Sequence, residues 1–146
     1  MNDVVLRAAV PRAGQRDAGQ RRIVVVDDCE LQCSMWRLFL EQRFGDLVAV
    51  ETYSDPRVAV KFLTPDLDLL LLDWDMPGLD GRAVLEEACR RGVDRKRIVV
   101  TSGHPAERLH EVFDSTGCLA VIEKEPRQLA ACAMILEEII RRPARR

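Results

Sequence analysis

Four short apolar runs in this chain each end on a polar or charged group. Ile23-Val24-Val25-Val26 runs into Asp27 and Asp28, and Leu69-Leu70-Leu71-Leu72 into Asp73. Ile98-Val99-Val100-Thr101 runs into Ser102, and Val121-Ile122-Glu123 into Lys124. Runs this short and this continuously apolar suit strands covered on both faces of a sheet. Segments of helical period separate them, so the pattern predicts an α/β fold with a parallel sheet. Right-handed crossovers then place helices on both faces. In such a sheet the carboxyl ends of the strands share one crevice, where ligands bind. Three carboxylates, a hydroxyl and an ammonium are therefore expected to converge.

The finer reading places strands at about 22–27, 47–52, 68–73, 97–102 and 118–123. The first helix is expected over 29–43, with Leu31, Met35, Leu38 and Gln42 on one stripe and Trp36 and Leu40 beside it. Asp55 has the character of an N-cap with Pro56 at the first helical position, opening a short helix to Leu63. A third helix is expected from Leu79 to Arg91, with Gly92 as its stop. Pro105 opens a fourth, with Leu109, Val112 and Phe113 on one face and Gly117 at its end. Pro126 opens a fifth, where Leu129, Ala133, Leu136 and Ile140 repeat at helical spacing. Residues 1–21 have no sustained period and read as a flexible arm, 22–141 as one domain, and 142–146 as a basic tail.

Length and composition fit one globular domain, with 47% apolar and 32% charged residues in 146. No apolar stretch is long enough to span a bilayer, and the amino terminus lacks the apolar core of a secretion signal. Five cysteines without a CxxC fit free thiols in a reducing cytoplasm. Cys29 and Cys33 lie one helical turn apart and read as small packing residues rather than a soft-metal pair. The basic residues gather at the ends, with five Arg against two Asp in 1–22 and four Arg in 141–146. Solubility accounts for them, since no nucleic-acid recognition motif accompanies them.

Carboxylates crowded at strand ends repel one another unless a cation neutralises them. Hard oxygen ligands in a small cluster suit Mg²⁺, which binds one or two carboxylates along with phosphate oxygens. Aspartate is a competent acceptor of a phosphoryl group. A lysine supplies a point charge to phosphate, and a serine a hydroxyl donor.

On these residues the chain resembles the receiver domain of two-component response regulators, in plan the stand-alone chemotaxis type. Asp73-Trp74-Asp75-Met76-Pro77-Gly78-Leu79-Asp80-Gly81 is similar to the segment following that family's phosphoacceptor. Asp27-Asp28 resembles its acidic metal-binding pair, Ser102-Gly103 its hydroxyl residue followed by a small one, and Gly117 to Lys124 its Gly-x₆-Lys segment. The resemblance implies a flavodoxin-like (βα)5 three-layer sandwich with strand order 2-1-3-4-5. It also implies that Asp73 accepts a phosphoryl group from a histidine kinase or phosphotransfer protein, with Ser102 and Lys124 assisting. Mg²⁺ is then held by Asp28, Asp73 and the backbone carbonyl of Asp75, with Asp27 acting through water. Ser102 is preferred to Thr101 because a glycine follows it. The expected product is a cytoplasmic signalling protein, not an enzyme acting on others. It would be a monomer or weak dimer that passes its signal to a downstream effector protein without binding DNA itself.

The sequence departs from the family in three places. Glu125 separates Lys124 from Pro126, Val121 stands where many members carry an aromatic, and Asp75 and His104 occupy the variable positions flanking the phosphoryl group. His104 could titrate near neutral pH there, against a plainer role in loop solvation, and His110 reads as a surface residue. Trp74 is expected to be partly exposed. A haloacid-dehalogenase-like phosphatase is the alternative, because Asp73-Trp74-Asp75 has that class's spacing, although the chain lacks room for a cap. A pseudo-receiver used as a binding module is the other.

Overall fold

The computed structural model describes residues 19–103, 106–124 and 129–141. Among them β1 (Arg21–Val26), β2 (Val48–Tyr53), β3 (Leu69–Asp73), β4 (Ile98–Ser102) and β5 (Ala120–Glu123) form one sheet in the order β2-β1-β3-β4-β5. All neighbouring strands pair in parallel. The strands alternate with α1 (Glu30–Phe44), α2 (Pro56–Ala59), α3 (Gly81–Arg90), α4 (Ala106–Thr116) and α5 (Leu129–Arg141). This is the parallel α/β sheet that the alternating runs predicted, in the flavodoxin-like (βα)5 order that the resemblance implied. The reading of 1–18 as a flexible arm lies outside the described residues, as do the readings of His104, Pro105, Glu125, Pro126 and the tail at 142–146. Arg21, placed in the arm by the sequence, is instead the first residue of β1.

Successive strand residues point to opposite faces. Ile23, Val25, Leu69, Leu71 and Val99 therefore pack with Trp36, Leu40 and Phe44 of α1 and Cys132, Leu136 and Ile140 of α5. Val24, Val26, Leu70, Leu72, Ile98 and Val100 pack with Ala59 of α2, Val84, Leu85 and Ala88 of α3 and Val112 of α4. Two apolar layers thus clamp a sheet whose middle strands are wholly buried, which is why those strands carry no alternation with polar residues. At the edge remote from the strands' carboxyl ends, the buried Arg22 meets Glu51 (2.6 Å) and the Phe62 carbonyl (2.7 Å), tying β1 to β2 and the segment before β3.

The helix ends follow local chemistry. Asp55 caps α2 by accepting from the Arg57 amide at 2.9 Å, with Pro56 at the first helical position. Asp80 caps α3 by accepting from the Ala83 amide at 3.0 Å, so that helix starts at Gly81 rather than Leu79. On α1 the expected stripe is corrected. Leu31, Met35 and Leu38 are 68%, 52% and 57% exposed, whereas Cys33, Trp36, Leu40 and Phe44 face the sheet. Apolar residues surround this helix, so its period does not select a face, and the large side chains four residues apart take the buried one. On α4, Val112 is buried but Phe113 is largely exposed, so the two do not share the buried face as expected.

Candidate functional site: an acidic crevice at the strand ends

The register builds the site. Val26 pairs with Leu72 and Asp73 with Thr101, so the residues that follow β1, β3 and β4 emerge side by side. On the other flank Ser102 pairs with Glu123, and the Lys124 amide donates to the Ser102 carbonyl at 2.7 Å. Asp27, Asp73 and Ser102 are buried, while Asp28 and Asp75 are exposed at the rim.

Asp27, Asp28 and Asp73 each offer a carboxylate oxygen within 4.8 Å of the others. Lys124 Nζ lies 3.0 Å from Asp73 Oδ1 and 3.2 Å from Asp27 Oδ2, bridging two of the three. The Asp75 amide also donates to Asp73 Oδ1, at 3.1 Å, so the carboxylate of Asp73 is fixed from two sides. Asp27 Oδ1 accepts from the Cys29 amide at 3.0 Å, and the Asp27 amide donates to the Tyr53 carbonyl at 3.1 Å. These contacts lock the turn from β1 into α1.

One ammonium does not balance this charge. Burial pushes the Asp27 carboxyl above its usual range, and repulsion by Asp73 adds to it, against the lowering effects of the Cys29 amide and Lys124. Asp28 is raised too, first by partial loss of hydration and then by its hydrogen bond and like charge with Asp73. Lys124 moves the opposite way from a buried amine. Burial alone would lower it, but its bonds and charge pairing with Asp73 and Asp27 outweigh that and raise it. Three carboxylates, each offering a hard oxygen within 4.8 Å of the others, are a donor set that fits a small divalent cation.

Glycines make room for the segment after β3. Gly78 has φ +79°, a conformation that favours glycine in the turn. A Cβ on Gly81 would lie 2.7 Å from Trp74 Cα and 2.9 Å from the Asp73 carbonyl oxygen, so α3 packs directly on the backbone that presents Asp73. Trp74 is half-buried beneath the Arg82 guanidinium, 5.3 Å from its ring centroid.

The structure thus gathers Asp27, Asp28, Asp73 and Lys124 into one cluster and sets Ser102 beside it. Of the two hydroxyl candidates, Ser102 reaches the rim, donating from Oγ to Asp75 Oδ2 at 2.9 Å. That contact was not legible in the sequence, which gave Asp75 a metal-binding backbone carbonyl and a variable position flanking the phosphoryl group. The carboxylate of Asp75 also accepts from the Gly103 amide at 3.1 Å. An acidic residue two positions past Asp73 was the available signal, but its partner lies on a different strand. Cys29 is exposed and Cys33 is buried, its thiol donating to the Asp27 carbonyl at 3.2 Å. Burial pushes the Cys33 thiol up to about 11, which suits packing rather than reactivity. His110 is exposed.

Known proteins share this plan. The chain is 30% identical over 126 residues to a protein of Haloferax volcanii, covering 86% of this chain and 21% of that one. It is also 30% identical over 106 residues to the transcriptional regulatory protein LiaR of Bacillus subtilis, covering 70% of this chain and 48% of the relative. The chain therefore spans less than half the length of either relative. Among solved structures, the receiver domain of the sensor histidine kinase PA1611 from Pseudomonas aeruginosa, which has magnesium in its active-site cleft, superposes with a TM-score of 0.68. Identity to it is 21%, over 83% of this chain and 98% of that one, a likeness of fold. The response regulator receiver domain family matches residues 23–135, the span that carries all five strands and the acidic crevice. The chain belongs to that family, the receiver domains of two-component signalling.

Proposed function

We propose that Asp73 accepts a phosphoryl group from the phosphohistidine of a histidine kinase or phosphotransfer protein. The observation that carries this reading is the contact of Lys124 Nζ with Asp73 Oδ1 at 3.0 Å, within a cluster of three aspartates. In the transfer a carboxylate oxygen of Asp73 bonds to phosphorus as the phosphorus–nitrogen bond breaks, its electron pair staying on the donor imidazole. Lys124 and the Asp75 amide hold the carboxylate oriented through Oδ1, and the ammonium then offers its charge to the phosphoryl oxygens. Ser102 supplies a hydroxyl donor from the β4 side.

Asp28, Asp73 and the backbone carbonyl of Asp75 would hold Mg²⁺, with Asp27 acting through water. The ion supplies neutralisation of the negative charge that gathers as the anions approach. The modified protein changes its affinity for an effector protein, on the cytoplasmic side where phosphorylated kinases reside. No helix among the described residues is long and apolar enough to cross a membrane.

Beryllofluoride, a phosphoryl mimic, tests this when added with Mg²⁺ while amide chemical shifts are followed. The expected result is Mg²⁺-dependent shifts centred on Asp28, Asp73, Ser102 and Lys124. Shifts elsewhere, or steady hydrolysis of a small phosphate monoester by the protein, would overturn the reading in favour of another site or of a hydrolase.

A further inference from the structure

Trp74 follows Asp73 directly, and its backbone is bonded to two other elements. Its amide donates to the Thr101 carbonyl at 2.9 Å, and its carbonyl accepts from the Gly81 amide at 3.4 Å. The indole is held as well. A Cβ on Gly81 would lie 2.8 Å from Trp74 Cε3, so the first residue of α3 packs directly against the ring. The Arg82 guanidinium lies over the ring, 5.3 Å from its centroid, within the range at which a cation is drawn to an indole face. The same guanidinium reaches α4, where its Nη2 donates to Ser115 Oγ at 3.1 Å. Ser115 keeps a lone pair for this bond because its own proton is donated to the Val112 carbonyl at 3.4 Å. One planar fork therefore joins the segment after β3, the start of α3 and the last turn of α4. Attraction to the ring leaves the guanidinium free to slide over it, and the bond to Ser115 fixes its direction.

We infer that Arg82 is a positioning residue: by clamping the Trp74 indole and bonding Ser115, it ties the aim of the Asp73 carboxylate to the carboxyl end of α4. The inference rests on the phosphoacceptor reading above. Trp74 and Asp73 share a peptide bond, so an indole free to turn loosens the backbone on which that carboxylate is set. Phosphoryl transfer is sensitive to this setting, because the attacking oxygen must approach phosphorus in line with the leaving group. Arg82 acts through Trp74 and not on the transferred group. Ser115 acts one step further out, by holding Arg82.

Ser115→Ala releases the guanidinium from α4 while keeping its charge, Arg82→Ala removes the clamp, and the double variant closes a mutant cycle. Both residues are exposed, so all three variants should fold. The indole N–H resonances report the clamp directly. That of Trp74 should shift in every variant, whereas that of Trp36, in the apolar layer on the other face of the sheet, should stay in place as the control. Phosphoryl uptake from acetyl phosphate in Mg²⁺ is then followed by intact mass. Ser115→Ala should slow it about two- to fivefold, the scale of one exposed hydrogen bond. Arg82→Ala should slow it at least as much, and adding Ser115→Ala to that variant should change nothing further. A Trp74 indole signal unmoved by Ser115→Ala would overturn the clamp, as would two substitutions whose effects simply add. Equal uptake by all four proteins would overturn it too and leave the phosphoacceptor reading intact. No uptake by wild type would overturn both.

Discussion

Asp27 and Asp73 end neighbouring parallel strands, and that adjacency produces the charge density on which the site depends. Their positions, with Ser102 and Lys124, were legible because each polar residue interrupts an apolar run that must be buried. The side-chain contact of Asp75 was not legible, since it depends on a loop amide and a hydroxyl from a strand distant in sequence. Asp28 gives a direct test of the electrostatics. An unfolded carboxyl titrates near about 3.9, and in the folded protein Asp28 is raised above its ordinary value. The folded state therefore holds that proton more tightly than the unfolded one. Ionised Asp28 destabilises the metal-free fold at neutral pH, and this effect fades as pH falls through the raised value towards the unfolded one. Asp28→Asn should accordingly raise the metal-free melting temperature at neutral pH, with the gain shrinking as pH falls towards and below the ordinary carboxyl value. Saturating Mg²⁺ should stabilise wild type more than the variant, because only the former keeps the full ligand set. Thermal denaturation at two pH values, with and without Mg²⁺, reads all of this. A metal-free variant less stable than wild type at neutral pH would contradict it.

At the level of elements, the β3–α3 connection carries Asp73, and α3 packs closely on its backbone. Gly81→Ala places a methyl 2.7 Å from Trp74 Cα. It should cost about 1–3 kcal/mol by overpacking and displace the backbone that aims Asp73. A lowered melting temperature together with slower phosphoryl uptake is expected; an unchanged value of either would show that α3 can step away freely. The output elements differ from the family's usual pattern. Val121 on β5 is half-buried against the α2–α4 layer, and a β-branched side chain is stiff at χ1. It lacks a ring that could move inward. Activation should therefore reshape the loops at Ser102–Pro105 and Lys124–Pro126 while Val121 keeps its rotamer. Structures with and without beryllofluoride check this. Static loops with a turned Val121 and a shifted α5 would contradict it. That the strands are parallel and covered on both faces followed from the run pattern and their order from the family resemblance, whereas the buried face of α1 followed from neither. With Leu31, Met35 and Leu38 apolar yet exposed, only the packing of Trp36, Leu40 and Phe44 under the sheet selects a face.

For the whole molecule, both core layers are assembled from residues between Ile23 and Ile140, and β1 finds its register from Arg21 onward. Removing residues 1–18 should therefore leave the thermal midpoint nearly unchanged. A large drop would show that apolar residues such as Val4, Val5 and Leu6 contribute to the fold. The central claim is that the crevice makes Asp73 a Mg²⁺-dependent phosphoacceptor. Acetyl phosphate tests it directly, with intact mass recorded in the presence and absence of Mg²⁺ for wild type and Asp73→Asn. The account predicts one added phosphoryl group, in wild type only and only with Mg²⁺. A phosphoryl group gained by Asp73→Asn, or gained by wild type without the metal, would contradict it.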